Sequence, residues 1–415
     1  MNALPPIAQR TLSTAFERAL KDAPDKLAFI DSESRQSTYR QAYDAALLIG
    51  GGLGRLQLGH QAPVAMMLDN SLDFVHLAFG VALTGRIQVP INTAYKGEFL
   101  THILNDSGAE VLVIEARYVE RLALIAGDLK ALRQIVVRGD AAALGHGFKT
   151  MALDALSAGP AARAAVVSAS DLMGYMYTSG TTGLSKGVEV THAHAYTYAS
   201  REDVGIPSAD DRILVTLPLF HLAGQWYGVY QSLIAGACCV VQAGFSVSQF
   251  WQWVREHRIT ETIMLGAMAE LLQQAAPRPD DADNSLRFAV MAPLASDFVG
   301  FGRRFGVQLA AVYGMTEIGA VMVSNPPDVV AGEAGRARPG YTLKLVDDAG
   351  AEVPVDVPGE LWVRPESPLM VLRGYHGLPE KTAETLVDGW VRTGDVFRRD
   401  AAGHFFFMDR KKDAL

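Results

Sequence analysis

Residues 63–91 read PVAMMLDNSLDFVHLAFGVALTGRIQVPI and show the alternating pattern of the chain most clearly. From here onward the predicted elements are a strand at Pro63–Leu68, a helix at Ser71–Leu83, a strand at Ile87–Ile91, a helix at Glu98–Asn105 and a strand at Val111–Ile114. Alternation of strands and helices over this length is typical of a parallel sheet flanked by helices. The sequence therefore predicts an α/β protein.

The rest of the chain divides near residue 335. Before it, the pattern predicts an early amphipathic helix that contains Leu12 and Phe16, and a surface connection over the alanine-rich residues 141–165. Further strands are predicted at residues 27–31, Ile213–Thr216, Cys239–Gln242 and Thr262–Leu265. After it, short strands at Leu343–Val346, Glu360–Val363 and His404–Met408 are separated by turn signals. This last region is predicted to be a small barrel or antiparallel layer.

Composition excludes several classes of protein. The chain has 415 residues, which suggests two or three packed units, and 49% of them are apolar. Its formal net charge is -8 and it has no long basic block, so nucleic acid and anionic membranes are not expected partners. The only cysteines are the neighbours Cys238 and Cys239, and no signal peptide or membrane-spanning run is visible. These absences favour a cytoplasmic protein, and its oligomeric state is not readable.

A glycine-rich loop carries the clearest chemical signal. Residues 177–188 read YTSGTTGLSKGV, with three glycines, several hydroxyls and the single cation of Lys186. Exposed backbone N–H groups, hydroxyls and a mobile ammonium group together suit a polyphosphate. The spacing departs from the common P-loop, in which the lysine directly follows a glycine. The alternative is a flexible turn without a ligand.

Three later segments could serve the same ligand. In Tyr313-Gly314-Met315-Thr316-Glu317, the tyrosine could stack on a purine and Glu317 could hold Mg²⁺, although the segment could also begin a helix. In Gly389–Asp395, the terminal carboxylate could bind both ribose hydroxyls, or it could be a turn aspartate. In Asp409–Asp413, Arg410 could reach ribose or phosphate, or the run could be a solvated tail.

In this order and at these separations, the segments resemble the AMP-forming adenylating superfamily, which includes acyl-CoA synthetases, luciferases and adenylation domains. The matching pieces are Tyr177–Gly187, Leu217–His221, Tyr313–Glu317, Gly359–Leu361, Gly374-Tyr375, Gly389–Asp395 and Asp409–Asp413. The resemblance implies two helix-flanked, mainly parallel sheets in a layered arrangement, with a small β-barrel-like subdomain. It divides the chain into a large AMP-binding domain at 1–408, with sheet subdomains over about 1–335 and a β-rich subdomain over about 336–408, and a hinge at 409–415.

The resemblance implies an ATP-dependent ligase that works in two steps. A carboxylic acid attacks the α-phosphate of ATP to form an acyl-adenylate, and coenzyme A then displaces AMP. By analogy, Lys186, Thr316 and Glu317 are the catalytic residues, and Mg²⁺ is held by Glu317 and Thr181. The residues implied to bind the nucleotide are Thr178, Ser179, Gly180, Thr181, Thr182, Gly183, Ala292, Pro293, Tyr313, Gly314, Met315, Asp395, Phe407 and Arg410.

The acid-binding residues are less clearly marked. The resemblance places His221 between nucleotide and acid, with Trp226, Tyr227 and Gly266 lining the acyl pocket, although the histidine and the aromatics could instead belong to the core. The segments Val290–Leu294 and Arg304–Val307 are similar to the crotonobetaine/carnitine–CoA ligase branch. The sequence does not identify the acid. His192 and His194 have a spacing that suits a metal on a strand, but two ligands are too few and we expect a structural role.

Departures from the family pattern leave other functions open. Ser185 stands where proline usually precedes the lysine, and Met291 makes the wall against the adenine bulkier. The chain stops at Leu415, on the hinge, so we expect a fragment that lacks the C-terminal domain and adenylates poorly. One alternative is a nucleotide-binding sensor or partner-recruiting module. Others are an amino-acid-adenylating or a luciferase-like enzyme.

Overall fold

The structure is a computed structural model, which describes residues 4–140, 147–178, 183–201 and 207–411. Its strands are β1 (Leu27–Asp31), β2 (Gln36–Thr38), β3 (Pro63–Met67), β4 (Ile87–Pro90), β5 (Val111–Glu115), β6 (Gln134–Arg138), β7 (Lys149–Ala152), β8 (Leu172–Thr178), β9 (Lys186–Thr191), β10 (Arg212–Val215), β11 (Cys238–Val241), β12 (Glu261–Met264), β13 (Phe288–Met291), β14 (Gln308–Met315), β15 (Gly319–Ser324), β16 (Arg336–Ala337), β17 (Tyr341–Val346), β18 (Gly359–Pro365), β19 (Gly374–Tyr375), β20 (Leu386–Val387), β21 (Trp390–Arg399) and β22 (Phe405–Arg410).

Helices alternate with the strands along most of the chain. They are α1 (Leu12–Asp22), α2 (Tyr39–Arg55), α3 (Leu72–Leu83), α4 (Glu98–Asp106), α5 (Glu120–Ala123), α6 (Asp154–Ser157), α7 (His192–Ala199), α8 (Leu222–Gly224), α9 (Gln231–Ala235), α10 (Phe250–Glu256), α11 (Gly266–Gln274), α12 (Phe298–Phe305) and α13 (Pro379–Thr385). A six-residue π-helix, Gln225–Tyr230, joins α8 to α9. None of the described helices is both long and apolar enough to cross a membrane.

The chain separates into two compact units. Unit 1 contains Met1–Asp210, Val215–Gly244 and Leu372–Gly377. Unit 2 contains Asp211–Leu214, Phe245–Val371 and Leu378–Leu415. The short strand β19 therefore belongs to unit 1, although its neighbours in sequence on both sides belong to unit 2.

Unit 1 is built on an eight-stranded sheet with the order β19-β9-β8-β4-β3-β5-β6-β7. The six strands β8, β4, β3, β5, β6 and β7 are parallel to one another. Strand β9 pairs antiparallel with β8, and β19 pairs antiparallel with β9. Strand β5 is buried along its whole length, as expected for a parallel strand that is covered on both faces. Separately, β11, β1 and β2 pair in that order within the same unit.

Helix α3 shows why residues 63–91 fold as they do. Ser71 caps its N-terminus, because the Ser71 hydroxyl accepts a hydrogen bond of 3.3 Å from the backbone N–H of Phe74. Of its residues only Asp73 and His76 are not buried. Such an apolar surface on nearly every side is expected where other elements enclose a helix. Gly80 allows α2 to approach closely, since a Cβ there would lie 2.5 Å from the carbonyl oxygen of Ala46.

Unit 2 contains two sheets. In the first, β10, β12, β13 and β14 are parallel neighbours, and β15 and β16 follow in the antiparallel sense. The second is entirely antiparallel, with the order β17-β18-β21-β20 and with β22 paired to β21. Leu361, Val363 and Phe397 are fully buried in this second sheet. It forms the β-rich region that the sequence predicts after residue 335.

The predicted fold class is confirmed, since the chain contains mainly parallel sheets with helices and a separate antiparallel β-rich region. The strands predicted in residues 63–114 and the helices between them agree with the structure to within about two residues. The predicted surface connection at 141–165 is wrong in part, because β7 and α6 lie within it. The cysteines Cys238 and Cys239 are free and buried in β11.

Candidate active site

The glycine-rich loop joins β8 to β9 in unit 1. Thr178 is the last residue of β8 and pairs with Lys186, the first residue of β9. Gly183 is exposed, and a Cβ there would meet nothing within 4 Å. The predicted phosphate ligands Ser179, Gly180, Thr181 and Thr182 lie outside the described residues. An antiparallel hairpin therefore holds Thr178 and Lys186 opposite each other at the base of the loop.

Lys186 lies against an aromatic ring. Its ammonium nitrogen is 4.7 Å from the ring centroid of Tyr375, which β19 positions next to β9. The preceding residue, Ser185, is buried, and its carbonyl oxygen lies 2.7 Å from the Nε2 of His102. A cation over an aromatic face is favoured electrostatically, so this contact restricts where the Lys186 side chain can point.

A second cluster, which was not predicted from the sequence, supports this hairpin in unit 1. The Tyr177 hydroxyl donates to Asp106 at 2.6 Å, and Glu189 of β9 pairs with Arg373 and His376. Charge complementarity between β9 and the residues that flank the Gly374-Tyr375 motif was the available signal. This signal could not be used without knowing that the strands pair, because Arg373 and Glu189 are 184 residues apart in sequence.

In unit 2, the segment Tyr313–Glu317 runs from the end of β14 into a hairpin turn. Met315 pairs with Gly319 across this turn, and the backbone N–H of Ile318 donates to the Met315 carbonyl. A Cβ at Gly314 would lie 2.4 Å from the Gly319 carbonyl oxygen, so only glycine fits. The alternative that this segment begins a helix is wrong. Glu317 is buried in the turn, whereas Thr316 is half-buried.

Tyr313 and Asp395 meet in unit 2. The Tyr313 hydroxyl donates a hydrogen bond of 2.6 Å to Asp395 Oδ2. Arg410 Nε lies 3.0 Å from the other oxygen, Oδ1, yet this ion pair lacks hydrogen-bond alignment and Oδ1 is buried without a hydrogen-bond partner among the described residues. Burial of Asp395 raises the pKa of its carboxyl group, although Tyr313 and Arg410 oppose the shift. This carboxylate retains an unused acceptor site.

Strand β22 carries the two nucleotide-site predictions near the end of the chain. Arg410 pairs with Asp395 across β21 and β22, so for Asp409 and Arg410 the alternative of a solvated tail is wrong, whereas Lys412 and Asp413 lie outside the described residues. Phe407 is 48% exposed and its ring lies 5.5 Å from that of Phe397. The backbone N–H of Lys411 donates to the Gly394 carbonyl. The predicted hinge therefore begins within a strand, since β22 includes Asp409.

Unit 2 also brings together two sites that are distant in sequence. Ala292 and Pro293 follow β13, and Gly266 begins α11. A Cβ at Gly266 would lie 2.7 Å from the Pro293 carbonyl oxygen. The predicted acyl-pocket glycine and the predicted adenine wall are therefore in contact, and glycine is required for this close approach. Met291, the last residue of β13, is fully buried.

The remaining predicted acid-binding residues lie in unit 1. His221 is exposed and caps α8, where its Nδ1 accepts from the backbone N–H of Ala223 at 3.3 Å, so the reading as a core histidine is wrong. Trp226 and Tyr227 are buried in the π-helix and contact the ring of Tyr198 at 6.1 and 6.0 Å. π-Helical turns are frequent at functional sites, although buried aromatics also suit a core.

His192 and His194 do not lie on a strand. They begin helix α7 and are both fully buried. Burial lowers the pKa of His192 to about 4 and that of His194 to about 3. No cluster of three or more potential metal ligands exists among the residues that the structure describes. Both rings are therefore neutral near pH 7.

The two units each hold part of the predicted site. Unit 1 contains Thr178, Gly183, Lys186, His221, Trp226 and Tyr227. Unit 2 contains Gly266, Ala292, Pro293, Tyr313, Gly314, Met315, Thr316, Glu317, Asp395, Phe407 and Arg410. Within unit 2, hydrogen bonding and strand pairing join Tyr313, Asp395 and Arg410.

Comparison with known proteins identifies the family. The model of the AMP-binding enzymes matches residues 16–376. The chain is 31% identical to fatty acid–[acyl-carrier-protein] ligase ScoC of Streptomyces coeruleorubidus, over 92% of the chain and 74% of that protein. It is also 31% identical to the crotonobetaine/carnitine–CoA ligase of Salmonella paratyphi A, over 84% of the chain and 69% of that protein.

A solved structure supports the same assignment. The anthranilate CoA ligase AuaEII in complex with anthranoyl-AMP superimposes with a TM-score of 0.89 and 27% identity, over 99% of the chain and 79% of that protein. The matched family region contains the glycine-rich loop and the Tyr313–Glu317 hairpin. The chain therefore belongs to the AMP-binding enzymes, the adenylate-forming superfamily, and is of the acyl-CoA synthetase type.

Proposed function

We propose that the protein is an ATP-dependent, AMP-forming ligase that activates a carboxylic acid and transfers it to coenzyme A. The observation that carries this proposal is the carboxylate of Asp395. It is buried, and one oxygen accepts from Tyr313. The other oxygen forms an ion pair with Arg410 at 3.0 Å but has no aligned hydrogen-bond donor among the described residues. A buried carboxylate oxygen of this kind can accept a further hydrogen bond, and a ribose hydroxyl is a suitable donor.

The nucleoside would be bound by unit 2. In this proposal Asp395 accepts from ribose and Arg410, whose guanidinium pairs with Asp395, contacts ribose or phosphate. Tyr313 stacks on adenine, beside the backbone of Gly314 and Met315 and the wall formed by Ala292 and Pro293. Phe407, which is 48% exposed on β22, adds a second apolar surface for the nucleoside.

The phosphates would be bound by the glycine-rich loop together with Lys186 and Thr316. Thr178 and the loop residues Ser179, Gly180, Thr181, Thr182 and Gly183 supply hydroxyl and backbone donors in this proposal. Lys186 supplies a positive charge, which offsets the repulsion between the acid carboxylate and the α-phosphate and stabilises the departing pyrophosphate. Its contact with Tyr375 supports a fixed position for the ammonium group.

Mg²⁺ would be held by Glu317, with Thr181 as a second protein ligand. Glu317 is the acidic residue of the Tyr313–Glu317 hairpin and is 7% exposed. Mg²⁺ commonly binds through one or two carboxylates together with substrate phosphates and water, so a single glutamate fits the ion. When bound, the ion would neutralise charge on the phosphate oxygens.

The reaction would proceed in two displacements. A carboxylate oxygen of the acid forms a bond to the α-phosphorus, and the bond to the β-phosphate oxygen breaks to release pyrophosphate. The thiolate of coenzyme A, having lost its proton, then attacks the acyl carbon and AMP leaves with the oxygen that came from the acid. The protein contributes by holding the two anions in line and by stabilising the charge that develops.

The acid would be bound by His221, Trp226, Tyr227 and Gly266. The relatives carry names that refer to fatty acids, crotonobetaine or carnitine, and anthranilate. Trp226 and Tyr227 lie in a π-helix and contact Tyr198, so three aromatic rings adjoin in this part of unit 1. This aromatic group supports aryl acids and betaines as the first candidates.

A pyrophosphate-exchange screen tests the proposal. Labelled pyrophosphate should enter ATP only when a matching acid is present, because exchange requires a reversible acyl-adenylate. The acids should include fatty, aryl and betaine types, and Lys186→Met and Asp395→Ala should each lower exchange at least tenfold. Each replacement removes a charged interaction of about 1.5–3 kcal/mol, and about 1.4 kcal/mol corresponds to a factor of ten.

The acceptor can be tested in the same preparation. After adenylate formation, coenzyme A and a phosphopantetheinylated carrier protein are added in separate reactions, because one relative is an acyl-carrier-protein ligase. A thioester of coenzyme A supports the proposal. Transfer to the carrier protein alone would replace coenzyme A as acceptor, and acid-independent cleavage of ATP would overturn the ligase assignment.

A further inference from the structure

The edge strand β19 is fastened to β9 by both main-chain and side-chain contacts within unit 1. Gly374 pairs with Glu189 and Tyr375 pairs with Val188. The backbone N–H of Arg373 donates to the Glu189 carbonyl at 2.9 Å, and that of His376 donates to the Gly187 carbonyl at 2.8 Å. This two-residue strand has few ladder bonds of its own, so its position depends on the side chains that flank it.

Glu189 is the centre of those side-chain contacts. Its Oε2 accepts from Arg373 Nε at 2.8 Å, and its Oε1 lies 3.2 Å from His376 Nδ1. The Glu189 side chain is 14% exposed, so both contacts are partly shielded from solvent. Arg373 precedes β19 and His376 follows it, so the Glu189 carboxylate of β9 contacts residues at both ends of β19. These contacts hold β19 in register with β9. We name Glu189, Arg373 and His376 the clasp.

The clasp lies close to Lys186. Glu189 is on the same strand, three residues after Lys186. Tyr375 lies between Arg373 and His376 in sequence, and its ring centroid is 4.7 Å from the Lys186 ammonium nitrogen. A change in the position of β19 would therefore move the ring on which the Lys186 ammonium rests.

His376 is the titratable member of the clasp that can change charge near neutral pH. Its ring stacks on Tyr175 of β8 at a centroid distance of 4.2 Å. The hydrogen bond to Glu189 raises the pKa of His376, burial opposes the shift, and the charge of Asp106 adds to it. Arg373 pairs with the same Glu189 carboxylate. The groups that face His376 are thus Glu189, Asp106, Arg373 and Tyr175.

We infer that the clasp is a pH-sensitive positioning device, in which Glu189, Arg373 and His376 hold Tyr375 so that the Lys186 ammonium is directed to the phosphates of ATP. The inference rests on the proposed function of Lys186. When His376 is protonated, both sides of β19 are bound to Glu189 by charged hydrogen bonds. When pH rises above its raised pKa, the His376 side becomes neutral and holds less strongly.

The sign of the pH effect follows from the folded-state pKa of His376, which lies above the ordinary value of 6.5. The stabilising charge is complete below that ordinary value and is lost as pH rises through the raised value. Partly exposed ion pairs contribute at most about 1 kcal/mol, or about fivefold in an equilibrium constant. Between pH 6 and 9, ATP affinity should therefore fall about two- to fivefold more in the unchanged protein than in a variant without His376.

The experiment measures ATP binding by equilibrium dialysis at pH 6, 7, 8 and 9. It compares the full chain with Glu189→Gln, His376→Asn and Lys186→Met. His404→Asn is the matched control, because His404 also pairs with a carboxylate, Asp400, at 3.0 Å but lies in unit 2. A second readout is the rate at which an amine-reactive reagent acylates Lys186 without nucleotide, followed by mass spectrometry.

The expected result has three parts. Glu189→Gln binds ATP about two- to fivefold more weakly at pH 7. His376→Asn loses the additional decrease between pH 6 and 9, whereas His404→Asn keeps the profile of the unchanged protein. Acylation of Lys186 becomes about two- to fivefold faster in both clasp variants, because a weaker cation–π contact with Tyr375 leaves more of the neutral amine, which is the form that reacts.

Two different failures can be told apart. If the unchanged protein binds ATP no more tightly than Lys186→Met, the proposed role of Lys186 fails, and the clasp proposal fails with it. If Lys186→Met weakens binding but both clasp variants keep the affinity, pH profile and Lys186 acylation rate of the unchanged protein, only the clasp proposal is overturned. Circular dichroism of each variant confirms that the comparison is made between folded proteins.

Discussion

Replacement of Tyr313 by phenylalanine isolates the hydrogen bond at the centre of the proposed nucleotide site. The tyrosine hydroxyl donates to Asp395 Oδ2 at 2.6 Å, while its ring packs edge-to-face on Phe397 at 4.7 Å. Phenylalanine keeps the ring contact and removes only the donor. A hydrogen bond to a charged group contributes about 1.5–3 kcal/mol, and the remaining buried acceptor is left unsatisfied. We expect Tyr313→Phe to lower the free energy of unfolding by about 2 kcal/mol.

The assay is urea unfolding at pH 7 followed by tryptophan fluorescence and circular dichroism. The midpoint should move to lower urea while the slope of the transition stays constant. In an Asp395→Asn background the partner is neutral, so the same tyrosine replacement should cost only about 1 kcal/mol. Equal costs in both backgrounds, or a loss below about 0.5 kcal/mol for the single variant, would contradict the reasoning.

The same carboxylate predicts a dependence on pH. Burial raises the folded-state pKa of Asp395 above its ordinary value of 3.8. A raised pKa means that the folded protein binds this proton more tightly, so Asp395 lowers stability as pH rises through the folded-state value. Asp395→Asn should remove this decrease. An identical pH profile for the two proteins, measured by urea unfolding from pH 3 to 8, would show that burial does not penalise the charge.

Three further replacements test packing and charge, each by urea unfolding. Arg138→Met should cost about 3 kcal/mol at pH 7, because it leaves the buried Glu115 unpaired; a loss below about 1 kcal/mol would refute this. Lys344→Ala should cost about 1 kcal/mol, since its ammonium lies 4.7 and 4.3 Å from two tryptophan rings, and Lys344→Arg should cost less. Gly80→Ala should cost about 1–3 kcal/mol because its Cβ would lie 2.5 Å from a carbonyl oxygen, and a neutral effect would mean that α2 can move away.

Much of the fold was predictable because its signals are local. Residues 63–91 alternate between apolar runs and turns, and α3 has almost no polar face, so strand and helix lengths follow from pattern and burial. The connection at 141–165 was less predictable. Strand β7 has only exposed and half-buried residues, so its sequence shows no alternation of apolar and polar residues. It is held in the sheet by its pairing with β6.

The candidate site was predictable where motifs carry backbone requirements. Gly314 and Gly266 are positions where a side chain would collide with the backbone, and both lie in segments chosen from the sequence. The clasp was not predictable, because Glu189 meets Arg373 and His376 only after β19 joins β9. Pairing between segments so distant in sequence is fixed by tertiary structure. Arg410 is a second example, since a terminal basic run resembles a solvated tail until the pairing of β21 with β22 places Arg410 opposite Asp395.

The acyl-adenylate route requires that a carboxylate attack the α-phosphate of ATP, and isotope transfer distinguishes this route from others. An acid identified in the exchange screen is labelled with oxygen-18 in its carboxyl group and incubated with ATP, Mg²⁺, coenzyme A and the protein. Mass spectrometry of the nucleotide should find one labelled oxygen in each AMP formed. Label in inorganic phosphate, or formation of ADP with unlabelled AMP, would contradict the acyl-adenylate route.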